Sequence, residues 1–536
     1  MGYDALNRIS INILYIKGFI MDTIKYVQLD QIYTFDASYL DGKTKSDFLD
    51  LGSEQILSSL ERDNVLRKLD IADERLNLTI ECTNPSAILG VIVTVSYEGI
   101  STNYNWTGDT LSIVIPMFSQ YTVSFSSISD YYTPDTFSFI AKRNFVRNIN
   151  VSYDDAEYID LSMRNINGIT LQSRETANCY VIKRTGYYEF PLVYGNAIKN
   201  GEINSSSYTQ VVGDYTQPFY NYLDRQITSP FIEADTNVDA YSADIIYSDV
   251  GISSFNISDV ELVQKDLCKY LRFRVNTFPP NGGNAVLGVK DGSGQIMWSW
   301  HIWAYGDKLT TVAHTNNTGQ TYNLLNVNLG WVKEDEKYGT SPHYQWGRKD
   351  PMLRPSSSTS NINATVGYGS WAYTSVASSV ASTIQNPNLF NKQEDNSYIW
   401  WVKDGVAVKF YNYWDASQTS TGNEDKTVVK TVYDPCPVGF SIPCGNAFTG
   451  FSNSNGGTYD RGWIWDGRYF PVSGRRNRAN GNLINVSGYG HYWLTSSGSQ
   501  SASYGLTFNS DIVYPQGGTE RANGFSICPV AQSELI

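Results

Sequence analysis

The chain has 536 residues, enough for about three or four domains, and a formal net charge of −13 from 40 basic and 53 acidic residues. Because phosphate contacts need a basic face, this acidic balance argues against general nucleic-acid binding. Apolar residues make up 41% of the chain, which excludes a disordered protein. Only 17% of the residues are charged and 14% are aromatic, which favours a β-rich extracellular or virion-type protein.

The first 75 residues are predicted to form a docking or connector segment. The apolar stretch 9–20 is interrupted by polar residues and lacks both a basic leader and a small-residue cleavage site. Met21 offers a second start, so residues 1–20 are either an over-extended start or part of the protein. The sequence contains no run of about 18 apolar residues, so no membrane span is predicted. A helix is predicted over 53–69.

Residues 76–160 alternate apolar and polar side chains with a period of two. The clearest strands are 91–97, 111–115 and 121–125, and glycine-containing turns separate them. Short strands at this spacing predict a small antiparallel sandwich. The pattern resembles the immunoglobulin-like modules of bacterial surface and phage tail proteins, which implies a spacer.

Residues 161–426 are predicted to form a strand-rich adhesin region. A glycine-rich turn between 283–291 and 296–303 predicts a hairpin. Since large aromatic side chains bury readily, its tryptophans are predicted to lie in the core, with a sugar-stacking platform as the alternative. These tryptophans are Trp298, Trp300 and Trp303. A short helix is predicted over 375–384.

Residues 427–536 are the part of the chain richest in glycine, asparagine and aromatic residues. Helical periodicity is nearly absent, and turns interrupt every short apolar segment. This pattern predicts an irregular, loop-heavy domain held by a few strands. The whole chain is therefore predicted to be mostly β with short helices, an α+β class.

A series of motifs resembles one family. They are NCYVI at 178–182, GQIMWSWHIW at 294–303, YQWGRKDP at 344–351, KTVYDPCPVGF at 430–440, FPVSGR at 470–475, GHYW at 490–493, LTF at 506–508 and GFSIC at 524–528. Together they resemble Bacteroidetes surface adhesins, including tip fimbrillins, that end in a C-type-lectin-like domain. That domain is related to the Fibrobacter major paralogous domain and, more distantly, to the formylglycine-generating-enzyme fold. The resemblance covers about 170–536 and implies a lectin-like receptor-binding domain at 427–536.

The same fold displays the variable surfaces of diversity-generating retroelement proteins, in which asparagine codons yield tyrosine, serine, histidine, aspartate, arginine or glycine. Residues 475–523 are rich in these types. Family members tend to read Gly-Tyr-Tyr-Trp-Ser-Ser where this chain has GHYWLT at 490–495. The departures at His491, Leu494 and Thr495 mark either positions varied by the retroelement or ordinary sequence drift. Tyrosine and tryptophan give contact area, and asparagine and serine give adaptable hydrogen bonds. The implied ligand-binding residues are Trp463, Trp465, Arg468, Arg476, Asn477, Arg478, Asn480, Tyr489, His491, Leu494, Ser501, Ser503, Tyr504 and Asn509.

Other residues are predicted to support the fold. Trp346, Arg348 and Asp350 suggest a structural corner in which a guanidinium faces a carboxylate beside a buried indole. Trp493 and Arg521 are predicted to support the core of the lectin-like domain.

Six cysteines are too few for a disulfide scaffold in a chain of this length. Because no CxxC pair occurs, a zinc ribbon or a thioredoxin-like site is excluded. Cys436 and Cys528 could form a bridge that closes the lectin-like domain, although Cys444 would then stay unpaired.

No enzyme or metal motif is visible in the sequence. The four histidines, His301, His314, His343 and His491, make no HxH or HExxH pair. The calcium-loop triplets of sugar-binding C-type lectins are absent, so no cofactor is predicted. Calcium binding through other residues is the alternative that the sequence leaves open. No GxSxG elbow or P-loop occurs. Asp460 and Asp466 lie near aromatic residues, as in a glycosidase, but spacing alone cannot place two carboxylates about 5–9 Å apart.

These observations predict a non-enzymatic, receptor-binding adhesin that recognises a cell-surface glycan or protein through residues near 463–514. The missing export signal favours a virion location, on a phage tail or fibre. Its N-terminal region would then bind other virion subunits, and a fibre would be a homo-oligomer. The resemblance alone favours a Bacteroidetes pilus tip or another cell-surface location. A glycan hydrolase is the alternative of another class, and a purely structural spacer is the third.

Overall fold

The computed structural model describes residues 75–82, 90–108, 110–116, 119–126, 133–134, 136–141, 147–153, 158–213, 215–265, 267–334, 339–355, 369, 371–374, 378–393, 402–403, 406–407, 410–422, 424–457, 459–499 and 502–532. The chain divides into two compact units, Met1–Glu157 and Tyr158–Ile536. The predicted docking segment 1–75, with its helix at 53–69, lies outside the described residues except for Arg75.

Two sheets form the described part of the first unit. Its strands are β1 (Arg75–Cys82), β2 (Val91–Tyr97), β3 (Ile100–Trp106), β4 (Thr110–Pro116), β5 (Gln120–Phe125), β6 (Phe137–Ile140) and β7 (Arg147–Val151). The strand orders are β4-β1-β7 and β3-β2-β5-β6. Side chains alternate between core and solvent along β1 and β2, as the period-two pattern predicts.

Both sheets of the first unit contribute side chains to one hydrophobic core. Leu78 and Ile80 come from one sheet, and Val93, Tyr121 and Val123 come from the other. Two sheets that enclose a common core form a β-sandwich. The predicted sandwich is therefore present in this unit, but β1 and β7 pair parallel, so it is not purely antiparallel as predicted. Its immunoglobulin-like kinship stays a prediction.

The second unit is also built mainly from strands. Its first part contains β8 (Ile159–Asp160), β9 (Cys179–Ile182), β10 (Gly186–Pro191), β11 (Ile198–Lys199), β12 (Glu202–Ile203), β13 (Ala240–Ser248), β14 (Asn256–Gln264), β15 (Lys269–Thr277), β16 (Gly283–Asp291) and β17 (Ile296–Ala304). Its middle part contains β18 (Thr311–Thr315), β19 (Thr321–Leu325), β20 (Val332–Lys333), β21 (Gly339–Thr340), β22 (Tyr344–Gln345), β23 (Ala372–Thr374), β24 (Leu389–Asn391), β25 (Val402–Lys403) and β26 (Val406–Ala407). Its last part contains β27 (Phe440–Ser441), β28 (Gly462–Trp465), β29 (Arg468–Pro471), β30 (Arg475–Arg476), β31 (Leu483–Ile484), β32 (Gly490–Ser497), β33 (Ala502–Phe508), β34 (Val513–Glu520), β35 (Gly524–Phe525) and β36 (Val530–Ala531).

Helices are short and few in the part of the chain that the structure describes. They are α1 (Ile232–Thr236) and α2 (Val380–Gln385), with 3-10 turns at Leu161–Met163 and Ser205–Ser207. The predicted mostly-β class is confirmed, and α2 overlaps the helix predicted at 375–384. None of the described helices has the length and apolar character needed to cross a membrane.

A sheet with the strand order β13-β16-β17-β9 runs through the core of the second unit. β16 and β17 pair antiparallel, with Leu287 opposite Trp300, as the predicted hairpin requires. Trp298, Trp300 and Trp303 have no exposed surface. Since neighbouring residues of a strand point to opposite faces, burial along nearly all of β17 means that both faces of the sheet are covered. The predicted core role of the three tryptophans is confirmed.

Two further sheets join residues on either side of position 426/427. Their strand orders are β18-β19-β36-β27 and β22-β35-β30-β31. Leu324 pairs with Val530 in the first sheet, and Tyr344 pairs with Phe525 in the second. The regions predicted as 161–426 and 427–536 therefore fold as one compact unit, and the position between them does not separate two units.

Three buried side chains join these regions in the core. Trp346 Nε1 donates to the carbonyl oxygen of Leu494 at 3.1 Å, and Trp493 Nε1 donates to that of Tyr344 at 2.7 Å. The Arg521 guanidinium lies 4.4 Å above the ring of Trp346 and donates hydrogen bonds to serine and main-chain oxygens. These contacts fit the supporting roles that the sequence suggests for all three residues.

The predicted corner at 346–350 is buried, but its charges pair differently from the prediction. Arg348 donates to a glutamine oxygen and to main-chain carbonyl oxygens before and within β24. Asp350 instead accepts from Lys349 Nζ and Ser299 Oγ, both at 2.7 Å. A guanidinium can spread its hydrogen bonds over several carbonyl oxygens, whereas a compact ammonium benefits most from a carboxylate. Even so, burial lowers the pKa of Lys349 to about 8.

All six cysteines are free and buried. The suggested Cys436–Cys528 bridge is therefore not formed, and that prediction is corrected. Cys436 lies in the core that contains Trp346, whereas Cys528 lies with Cys444 in a separate cluster. Burial raises the pKa of the Cys528 thiol to about 11, so this side chain packs as a small apolar group.

We expect reducing agent to leave the thermal unfolding temperature of the protein unchanged, because no disulfide constrains the unfolded chain. Calorimetry with and without a phosphine reductant measures this. A thiol assay of the denatured, unreduced protein should count 6 free thiols. A count of four, or a reductant-induced fall in the unfolding temperature, would contradict the free-thiol assignment.

Replacing Arg521 by lysine should lower the free energy of unfolding by roughly 3 kcal/mol, because several buried oxygens lose their donors. A lysine keeps the charge but cannot reproduce the planar fork of donors. Urea unfolding followed by tryptophan fluorescence measures the change. Arg184→Lys is the matched control at an exposed position, and it should stay within about 0.5 kcal/mol of the wild type.

Candidate functional site

A cleft of about 420 Å³ opens within the segment that the sequence predicts to bind ligand. Its walls are 471–473 and 483–487, together with Arg461 and Tyr469. The rest of its described rim consists of Glu334, Gly339, Thr340 and Pro355. We call this concavity the C-terminal cleft. Its volume falls within the range of about 300–1,000 Å³ that is usual for ligand sites.

Two small hairpins bring the walls of the C-terminal cleft together. The β28–β29 hairpin carries Tyr469, and the β30–β31 hairpin carries Ile484. Ser487 N donates to the carbonyl oxygen of Val472 at 2.9 Å, so the two walls are bonded to each other. Gly474 connects them with a φ of +67°, and a Cβ at this position would lie 2.5 Å from the carbonyl oxygen of Ile484. Glycine is therefore required at this junction.

The second wall ends in a tight turn. Asn485 and Ser487 both have a positive φ, at 60° and 62°. The carbonyl oxygen of Asn485 accepts hydrogen bonds from the main-chain nitrogens of Gly488 and Tyr489. The turn leaves Val486 45% exposed at the cleft. An apolar side chain on a bonded turn offers a contact surface that loses little entropy on binding.

The C-terminal cleft combines apolar surface with a few polar groups. Ser473 lines the cleft, and its hydroxyl is buried without a hydrogen-bond partner. Glu334 carries the only carboxylate among the described lining residues. No group of histidine, cysteine, aspartate or glutamate residues that could hold a metal is found within the described ranges. The arrangement suits reversible binding through packing and hydrogen bonds.

Half of the predicted ligand-binding residues are buried and bonded within the protein. Trp465 stacks on Phe451 with ring centroids 4.6 Å apart. Arg468 donates to the carbonyl oxygen of Leu325 and to Asn328 Oδ1. The buried members are Trp463, Trp465, Arg468, Arg476, His491, Leu494 and Ser503. They support the surface from within, because large aromatic and aliphatic groups are stabilised by leaving water.

The accessible predicted residues do not converge on one pocket. They are Asn477, Arg478, Asn480, Tyr489, Tyr504 and Asn509, and Ser501 lies outside the described residues. The first three lie in one turn after β30, where Arg478 pairs with Glu520 at 3.4 Å. Tyr504 lies on β33, and Asn509 shapes the turn that follows it. Tyr489 adjoins the C-terminal cleft through its bond to Asn485.

None of the residues that line the cleft is among the ligand-binding residues that the sequence predicts. The asparagine, serine and glycine at 485–488 are typical of a turn, and they are the local pattern that could have predicted the turn at the end of the second cleft wall. No local pattern indicates that Val486 is exposed or that Ser473 lacks a partner, because both facts depend on contacts between distant segments.

A second concavity of about 280 Å³ lies between residues near 175–206 and 427–439. Much of its polar lining is already bonded within the protein. Asn196 Nδ2 donates to the carbonyl oxygen of Thr431, and Lys430 Nζ donates to two carbonyl oxygens. The C-terminal cleft is the stronger candidate, because it has the larger volume and an exposed apolar side chain, Val486, in its lining.

Comparison with known proteins adds no family assignment. No protein-family model matches the chain, and no curated protein matches it.

Gly474→Ala should lower the free energy of unfolding by more than about 2 kcal/mol, because the new Cβ meets the main chain at a positive φ. Urea unfolding measures the change. Gly518→Ala is the matched control, since nothing lies within 4 Å of a Cβ placed there, and it should be close to neutral. Equal stability of the two variants would contradict the bonded junction between the cleft walls.

Proposed function

We propose that the protein is a receptor-binding adhesin that recognises a cell-surface glycan or protein through the C-terminal cleft. The supporting observation is the cleft itself, which the exposed Val486 lines together with polar residues such as Asn485 and Ser487. A sugar ring or a protein loop presents hydroxyl or amide groups next to apolar surface, which this lining complements. The cleft lies in the segment that the adhesin-like motifs imply to be the binding region.

A glycan-active hydrolase is the alternative function of another class. Glycoside hydrolysis normally needs two carboxyl groups on either side of the scissile bond, about 5–9.5 Å apart. Glu334 is the single carboxylate among the described lining residues, and neither Asp460 nor Asp466 lines the cleft. Asp466 is instead bonded to His314 Nδ1 at 2.5 Å.

The proposed adhesin belongs on a phage tail or fibre, with a Bacteroidetes pilus tip or cell surface as the alternative placement. The N-terminal region would bind other virion or pilus subunits, and a fibre would be a homo-oligomer. No cofactor is part of the proposal. Tail genes next to the coding sequence would support the phage placement, and a fimbrial operon would support the pilus. A nearby reverse transcriptase with a template repeat would support hypervariability.

Val486→Arg in the full chain should weaken binding to intact Bacteroides-type cells or to a glycan array by about tenfold or more, because a charged side chain replaces the apolar contact. Ile252→Arg is a matched control, since Ile252 is also 45% exposed but does not line the cleft. Titration of labelled protein on cells measures both affinities.

Binding by the wild type with equal loss in both variants would contradict the assignment to this cleft. Tyr489→Ala and Tyr504→Ala extend the comparison, because one side chain adjoins the cleft and the other lies on β33. The titration is repeated with a chelator. Unchanged affinity is expected, because the proposed contacts are packing and hydrogen bonds that need no calcium. Turnover of a bound glycan would instead support the hydrolase.

A further inference from the structure

Three basic side chains lie close together on segments that adjoin the lining of the C-terminal cleft. His343 and Arg476 have no exposed surface, and His491 is 5% exposed. His343 and Arg476 flank the same glycine, because a Cβ on Gly524 would lie 3.5 Å and 3.1 Å from their Cβ atoms. His491 stacks on Phe525 with ring centroids 4.8 Å apart. We call His343, Arg476 and His491 the basic trio.

The basic trio is incompletely hydrogen-bonded. Neither ring nitrogen of His343 has a partner, and His491 Nε2 and Arg476 Nε have none either. His491 Nδ1 lies 3.1 Å from Thr507 Oγ1, and Arg476 donates its terminal nitrogens to two carbonyl oxygens. A buried imidazole without partners is tolerable only while it is neutral, because an unpaired buried charge is costly.

The charges that face the two histidines from neighbouring elements are positive within the described residues. Arg476 on β30 and His491 on β32 face His343, and Arg475 faces His491. The nearby carboxylates have other partners. Glu520 on β34 faces Arg475 and pairs with Arg478. Asp249 pairs with Arg354, which follows the segment whose Met352 N donates to the His343 carbonyl oxygen. Tyr489 stacks against His491 with ring centroids 5.9 Å apart.

These surroundings oppose protonation. Burial and the Arg476 guanidinium hold the pKa of His343 well below its usual range. Burial, together with Arg475, lowers the pKa of His491 to about 3. Burial also lowers the pKa of Arg476 to about 9.

The basic trio is connected to both sides of the cleft. Arg476 pairs with Leu483 of β31, which forms part of one cleft wall. Arg476 also pairs with Gly524 of β35, so β30 links that wall to β35 within the same sheet. His343 follows β21 by three residues, and Thr340 of β21 lines the opposite rim. A change that displaces the trio therefore moves the cleft lining.

We propose that the basic trio is an acid-sensitive switch that opens the β30–β31 wall of the C-terminal cleft and releases its ligand at mildly acidic pH. This inference concerns the regulation of the cleft and rests on the proposed function for its ligand-release part. The opening itself is a property of the protein and needs no ligand.

The sign of the effect follows from proton linkage. In the open form both imidazoles are hydrated and have their ordinary pKa of about 6.5, whereas in the closed form their pKa values are lower. The closed form is therefore fully favoured above about pH 6.5 and loses stability as the pH falls below that value. Each histidine should raise the open population about tenfold at pH 5.5, or about a hundredfold for the two together.

Hydrogen exchange of the full chain at about pH 7.5 and about pH 5.5 tests the switch, after correction for the intrinsic exchange rate. We expect the amides of 475–476 and 483–484 to exchange up to about a hundredfold faster at the lower pH. His343→Phe should remove about tenfold of this acceleration. It loses no hydrogen bond, since neither ring nitrogen has a partner. His343→Phe combined with His491→Phe should abolish the acceleration.

His314→Gln is the matched control, because His314 is buried but faces the carboxylate of Asp466. It should respond to acid as the wild type does. Unchanged exchange in the wild type, or equal acceleration in the wild type and His343→Phe, would overturn the switch. If the double variant does not fold, the single variant still decides the matter.

Cell binding measured at the same two pH values separates the two proposals. Loss of binding at about pH 5.5 in the wild type but not in His343→Phe supports ligand release. Acid-accelerated exchange without any change in binding overturns the release part alone. Absence of binding at both pH values counts against the proposed function, while the exchange experiment still reports on the switch.

Discussion

The second unit depends on a reciprocal pair of buried indole hydrogen bonds. Trp346 donates to the main chain of Leu494 and Trp493 donates to that of Tyr344, so two segments far apart in sequence hold each other in place. Each bond satisfies a buried carbonyl and a buried indole that would otherwise be unpaired. Arg521 covers the ring of Trp346 and extends the same arrangement. The sheet β22-β35-β30-β31 starts at this junction and reaches the cleft wall.

Buried arginines donate hydrogen bonds to carbonyl oxygens of the irregular backbone in the second unit. Short strands and loops leave carbonyl oxygens without ladder partners, and buried carbonyls need donors. Arg468, Arg476 and Arg521 donate to such carbonyl oxygens, among them those of Leu325 and Leu353. A guanidinium serves this purpose because its donors diverge in a plane. Burial lowers the pKa of Arg521 to about 9, a cost that the local hydrogen bonds offset.

Local patterns predicted the strands well and the site poorly. The strand predicted at 91–97 and the hairpin at 283–303 agree with the structure because alternation and turn chemistry act over a few residues. The continuity across position 426/427 was not predictable, since pairs such as Leu324 and Val530 join distant segments. Arginines and tryptophans near 463–476 suggested a contact surface, yet their burial depends on which carbonyls and rings surround them. Exposure of Val486 is likewise decided by the fold.

The difference between buried and accessible residues limits which positions near the C-terminal cleft could vary. At Gly474 and Arg476 the main chain or a buried donor joins the cleft wall to the core, so substitution there disturbs the sheet. At Asn480 and Tyr504 the side chains reach solvent, so substitution leaves the strand pairings intact. The proposed hypervariability therefore concerns the accessible positions only, and the buried ones form a scaffold. His491 belongs to that scaffold, because it is buried, and the proposed acid switch depends on its imidazole staying neutral there.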